Sequence, residues 1–193
     1  TVEITENELI SISEEPSDYT GSGVSCNGQT DGFINITTTG GTQVYTYSWT
    51  VMEETSENGV TLITYNDITP NDQGNLENIG AGTYTAVVTD ENGCSDTVTV
   101  EITENEPVAV SEVHSDYAGY GVSCKNETDG FINLTTNGGT ETYTYDWTDQ
   151  DGNAVTANDQ GNLENIGAGT YTAVVTDENG CSDTVTVEIT ENE

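Results

Sequence analysis

The amino-acid sequence predicts an all-β chain built as two tandem antiparallel β-sandwiches, on three observations: a long internal repeat, short alternating apolar and polar runs, and frequent Gly, Asn and Asp turn signals. Residues 71–106 (NDQGNLENIGAGTYTAVVTDENGCSDTVTVEITENE) recur letter for letter at 158–193, and residues 23–49 are matched with scattered changes by 120–147. Self-similarity of this kind is the mark of an array. Only the middle differs: 21 residues separate Trp49 from Asn71 but 10 separate Trp147 from Asn158, so the first repeat carries an 11-residue insertion. The opening string TVEITENE also ends both repeats, so residues 1–8 read as the tail of a preceding unit. The expected domains are then 9–106, with the insertion within 50–70, and 107–193. Units of this size enclose one modest core each.

Within the first unit the candidate strands are 9–13, 32–38, 43–50, 61–65, 75–79, 83–89 and 95–103, each rich in Thr, Val, Ile or Tyr and bounded by turn residues. Seven strands is the immunoglobulin-like number. Side chains alternate along a strand, so Tyr45, Tyr47 and Trp49 share one face and Trp49 becomes the natural core anchor. Val98, Val100 and Ile102 likewise face inward, with Thr97, Thr99 and Glu101 turned to solvent. Gly82-Thr83-Tyr84 enters a strand where sandwiches place a tyrosine corner. Residues 89–94 (TDENGC) read as a hairpin turn, with Asn-Gly supplying positive φ. Gly40-Gly41 and Asn137-Gly138-Gly139 mark the other reversal.

The chain has 35 Asp and Glu against a single basic residue, Lys125, for a formal charge of −34. Nucleic acid and anionic membranes need cationic footprints and are excluded as partners. High net charge with few aliphatics is also the signature of disorder, but ten Tyr, two Trp, period-2 alternation and paired cysteines argue for a fold. No run of 18 apolar residues is present, so direct membrane insertion by a helix is not expected.

Four cysteines, two per repeat at equivalent places, suggest an oxidising compartment. Three connectivities exist. Pairing within repeats, Cys26 with Cys94 and Cys124 with Cys181, keeps each module self-contained, and the chain-entropy model assigns each bridge roughly 4 kcal/mol. The rival, Cys94 with Cys124, would staple neighbouring modules. Free thiols or a metal site are the remaining reading.

The pattern VSCNGQTDGFINITTTGGTQVYTYSW, followed by IGAGTYTAVVTDENGCSDTVTV, resembles the SprB repeat of very large surface adhesins in gliding and other Bacteroidota. The segment GTYT…VTD.NG is more distantly similar to PKD domains, which are immunoglobulin-like sandwiches. The resemblance implies an extracellular, surface-anchored chain exported by the type IX route, serving adhesion or gliding motility. The insertion departs from the compact pattern and leaves the segment between Trp49 and Asn71 unassigned, as the place for a unit-specific contact.

Enzymatic chemistry lacks its parts. The one histidine, His114, falls in a linker-like stretch, and abundant acids do not by themselves make a catalytic pair. Calcium is a sharper option, since it is bound by clustered carboxylate, amide and carbonyl oxygens; the candidate ligands are Asp90, Asn92, Glu104, Glu106, Asp116, Asp177 and Asn179, with no other cofactor expected. Asp96-Thr97-Val98 and Asp183-Thr184-Val185 resemble the Asp-Ser/Thr-apolar O-glycosylation motif of Bacteroidota, making Thr97 and Thr184 candidate glycan sites. Asn35, Asn126 and Asn133 begin Asn-x-Thr sequons.

The expected function is a non-enzymatic stalk or spacer in an elongated array on the cell surface, with neighbouring repeats as partners and other copies as partners in a filament. The alternative is a carbohydrate- or protein-binding module of a secreted protein, its ligand unknown. The junctions, with Pro16 or Pro107, would restrict bending.

Overall fold

The computed structural model describes Val2 and residues 6–57 and 60–192. Half of the expected tail of a preceding unit, residues 1 and 3–5, lies outside them. Among the described residues there is no helix, and fourteen strands divide between two compact units, 1–104 and 105–193.

In the first unit, β1 (Ser11–Pro16), β2 (Gly32–Thr39) and β5 (Leu76–Ile79) form one sheet in the order β1-β2-β5, and β3 (Tyr45–Glu57), β4 (Val60–Ile68), β6 (Gly82–Asp90) and β7 (Ser95–Ile102) form the other in the order β4-β3-β6-β7. Every pairing is antiparallel. Inward side chains from both sheets, Ile34 and Ile36 of β2, Leu76 of β5, Trp49 of β3, Ala86 and Val88 of β6, Val100 and Ile102 of β7, close one core between them. The alternation is the predicted one: Val100 and Ile102 are buried while Thr97, Thr99 and Glu101 are exposed. This is an immunoglobulin-like sandwich.

The second unit repeats the plan. β8 (Ala109–His114), β9 (Gly130–Asn137) and β12 (Leu163–Ile166) form one sheet; β10 (Tyr143–Asp149), β11 (Ala154–Val155), β13 (Gly169–Asp177) and β14 (Ser182–Ile189) form the other, in the order β11-β10-β13-β14. His114 therefore belongs to a strand and not to a linker; its Nδ1 lies 2.9 Å from Glu112 Oε2.

The tryptophan does more than fill space. Trp49 Nε1 donates to the Gly74 carbonyl at 2.8 Å, and Trp147 Nε1 to the Gly161 carbonyl at 2.9 Å. Each contact ties the middle of one sheet to the loop that feeds the opposite sheet's edge strand. Gly74 sits at φ +84° against the Tyr47 ring, where a Cβ would meet Tyr47 Cδ1 at 2.5 Å. Only glycine fits there, on grounds of both space and dihedral. The tyrosine corner is also present: Tyr84 Oη donates to the Gly80 carbonyl at 2.9 Å and Tyr171 Oη to that of Gly167 at 3.1 Å.

The insertion is not an irregular loop. It lengthens the β3–β4 hairpin, whose register runs from Trp49 opposite Ile68 to Glu57 opposite Val60. β3 pairs with β6 only as far as Met52 opposite Thr83. Beyond it the hairpin continues as a two-stranded ribbon, five residues of β3 long and so about 17 Å at the strand rise.

Trp49→Ala is expected to cost the first unit about 3–5 kcal/mol through lost contacts and a residual cavity. Trp49→Phe is expected to cost about 1–3 kcal/mol, chiefly because the buried Gly74 carbonyl loses its donor. Denaturant unfolding of each variant checks both values, and equal costs for the two substitutions would show the indole hydrogen bond to be the whole contribution.

Candidate functional site

The carboxylates with most structure around them lie in one recurrent turn. In residues 90–94, Gly93 N–H donates to the Asp90 carbonyl at 3.0 Å, and Asp90 N–H donates to the Cys94 carbonyl at 2.9 Å. Asp90 Oδ1 accepts the amides of Asn92 (3.0 Å) and Cys94 (2.8 Å), while Oδ2 accepts that of Thr42 at 3.1 Å. Of the turn's residues only Gly93 has positive φ, +85°, so glycine alone, and not the Asn-Gly pair, supplies the left-handed conformation. Asp177 reproduces the set, with Asn179 and Cys181 on Oδ1 and Thr140 on Oδ2. The same plan, an Asx oxygen receiving the amides two and four residues on, recurs at Asn71, Asp149 and Asn158. The sequence signal for it was present throughout: Asp or Asn, two residues, then Gly.

Asp90 and Asp177 are both 6% exposed. Desolvation pushes the Asp90 carboxyl up, but the amides of Cys94, Thr42 and Asn92 and the Thr42 hydroxyl together outweigh it and hold the group below the usual aspartate value. The Ser25 hydroxyl and amide lower Asp31 in the same way, and those of Ser123 lower Asp129. Asp149 is lowered by the Asn153 side chain and backbone.

These contacts show how the candidate calcium ligands are engaged in the fold. Asp90 and Asp177 spend both oxygens on backbone amides, and Asn92 contributes its own amide to Asp90. Glu104 Oε2 accepts Gly28 N–H at 2.6 Å, Asp116 Oδ1 accepts Gly119 N–H at 2.6 Å, and the Glu106 carbonyl accepts Gly139 N–H at 2.8 Å. Asp90 precedes β7 and Glu104 follows it, so a whole strand separates them. Among the described residues no three His, Cys, Asp or Glu side chains gather as a metal site.

The cysteine pairing is corrected as well. Cys94 and Cys124 carry free, exposed thiols, so neither within-unit bridge forms; Cys26 and Cys181 are in the disulfide state. The reason is distance. Cys94 abuts the start of β7, whereas Cys26 lies beside its end, where Gly23 N–H reaches the Thr103 carbonyl and Gly28 N–H reaches Glu104. Eight strand residues hold the two about 25 Å apart, against the roughly 4.4–6.8 Å between Cα atoms that a disulfide allows.

Thr97 and Thr184 are exposed on β7 and β14. The preceding aspartates are engaged: Asp96 Oδ2 accepts the Ile12 amide at 3.1 Å and Asp183 Oδ2 the Val110 amide at 2.8 Å, binding β1 and β8 to the opposite sheet.

Sequence comparison adds one decisive match. In each unit one segment is similar to the SprB repeat. The family model covers residues 21–51 and 122–152, about a third of the chain, from the turn before β2 or β9 into the tryptophan-bearing strand. No curated protein matches. Solved structures with similar folds include the N-terminal eight Ig domains of Down Syndrome Cell Adhesion Molecule, isoform 1.30.30 (15% identity, TM-score 0.34, 81% of this chain and 20% of that one). Murine CEACAM1b has 15% identity and a TM-score of 0.34, covering 84% of this chain and 92% of that one. The tandem Ig repeats of Dlar have 12% identity and a TM-score of 0.28, covering 96% and 98%. This chain spans a fifth of the length of the first of these. The matched segments thus lie on the half of each sandwich that carries the tryptophan.

Two measurements follow from this geometry. Carboxyls held below their unfolded value contribute stability above about pH 4 that is lost as pH falls through the folded values. Asp90→Asn is therefore expected to lower the melting temperature near pH 7 and to differ little from the parent near pH 2. Equal losses at both would assign the effect to shape and not to charge. Native alkylation without reductant is expected to modify Cys94 and Cys124 only; a chain with no reactive thiol would overturn that assignment.

Proposed function

We propose that the chain is a non-enzymatic spacer segment of an extracellular surface adhesin, each SprB-type sandwich setting a fixed length in an elongated array. The observation that carries this reading is that the two units repeat the same buried contacts residue for residue. The tryptophan–glycine bond, the tyrosine corner and the aspartate turns recur at equivalent positions, as expected of modules selected for interchangeable geometry. The first unit's added residues lie in a hairpin at the sheet edge and leave those contacts untouched.

Export to the outside and adhesion are part of the same proposal. The large acidic surface, with one basic side chain in 193 residues, suits a solvated stalk. Exposed Thr97 and Thr184 are available for glycans on this reading.

Small-angle X-ray scattering of the 193-residue chain, with calcium and with chelator, tests the spacer role. A single compact body of this length has a radius of gyration of about 16 Å. A value well above that, unchanged by chelation, is expected; one near it would overturn the elongated array.

A further inference from the structure

We propose that the β3–β4 hairpin is a self-association element, in which the free edge of β4 pairs antiparallel with β4 of a second copy of this chain about a two-fold axis through Thr64. The proposal goes beyond the spacer reading and stands without it, because it rests on the hairpin alone.

β4 is an edge strand nine residues long, bonded among the described residues only to β3. Exposed strand edges are ordinarily blunted by brevity, proline or charge, because their unpaired backbone groups recruit other strands. The other edges of this molecule are blunted so. β1 carries Glu14, Glu15 and Pro16, β7 carries Asp96 and Glu101, β5 has four residues, and the counterpart of β4 in the second unit, β11, has two. β4 has none of these devices from Val60 to Asn66, a run without charge or proline. It displays Leu62, Ile63 and Tyr65 at 59%, 51% and 67% exposure.

Its sequence complements itself. With Thr64 opposite Thr64, Ile63 meets Tyr65, Leu62 meets Asn66, Thr61 meets Asp67 and Val60 meets Ile68, so all nine residues find a partner and no carboxylate faces another. Ile63 and Tyr65 lie on the outer face of the sheet, where Tyr65 already stands opposite Met52. The two-fold would create two aromatic–β-branched pairs there, a favourable cross-strand combination. The product is a continuous sheet of eight strands, four from each copy.

Charge argues for this occupant. A basic partner would be drawn to the acidic surface at large, whereas the uncharged edge favours a strand as apolar as itself. Two chains of charge −34 repel at long range, so pairing through β4 must strengthen as salt shortens the Debye length from about 30 Å at 0.01 M to about 3 Å at 1 M.

The test is sedimentation velocity of the 193-residue chain at those two salt concentrations, with hydrogen exchange to locate the contact. Expected are a monomer at low salt, a dimer at high salt, and new amide protection confined to residues 61–66. Ile63→Glu with Tyr65→Glu sets glutamate against glutamate in the proposed register. It should raise the dimer dissociation constant at least about tenfold; because residue 63 also stands opposite Glu54 in the hairpin, Ile63→Thr with Tyr65→Thr, which adds no charge there, should weaken the dimer in the same direction with the melting transition unchanged. Val113→Glu, equally exposed on β8 at 67%, should leave dimerisation as it was. A monomer at both salts, protection elsewhere, or an equal effect of Val113→Glu would overturn the proposal.

Discussion

Asp90 and Asp177 are nearly buried, and the amide hydrogens that fill their oxygens hold together much of what surrounds them. A chain with 35 acidic side chains and one basic one cannot stabilise carboxylates by ion pairing. It uses backbone N–H groups instead, which cost nothing to keep nearby and are left over at every turn. Each aspartate closes its own hairpin and also clamps the loop after β2 or β9 through Thr42 or Thr140. Asp96 and Asp183 extend the device across the sandwich to β1 and β8. These carboxylates are acceptors for the fold.

That arrangement leaves the core free to be small and apolar. Trp49 and Trp147 join the two layers of their units by packing and by one hydrogen bond each to a glycine carbonyl. Because these contacts end at the level of Trp49 opposite Ile68, residues can be added beyond that pair without disturbing them. The first unit does this. Its ribbon grows from the end of the sheet and has no opposing layer, and two-stranded pieces are marginal by themselves. Length variation is therefore tolerated where it costs the core nothing, and it is there that a new surface appears.

Much of this was legible in the sequence. Alternation placed all seven strands of the first unit, six of them to within about three residues at each end and β3 ending seven residues short, since each strand has one face in the core and one in water. Tyr84 and Trp49 could be assigned because a large aromatic in a small sandwich has few other places to go. The insertion was visible by subtraction, but its hairpin form was not, because a short Thr-, Ile- and Glu-containing segment has no period that distinguishes a ribbon from a loop. The Asx–Gly turns were visible as turns. That their aspartates were structural acceptors was not, since a carboxylate's partners are backbone groups whose positions depend on the whole turn.

The sequence by itself determined the repeat, the all-β class, the inward faces of the strands and the surplus of negative charge, because these follow from periodicity and composition along the chain. Tertiary structure alone decided which cysteines could meet, which acids were occupied and which edge was left bare. These depend on distances between residues far apart in sequence: β7 separates Cys26 from Cys94 by its full length, and Asp90 meets Thr42 only because two hairpins fold over the same end of the sandwich.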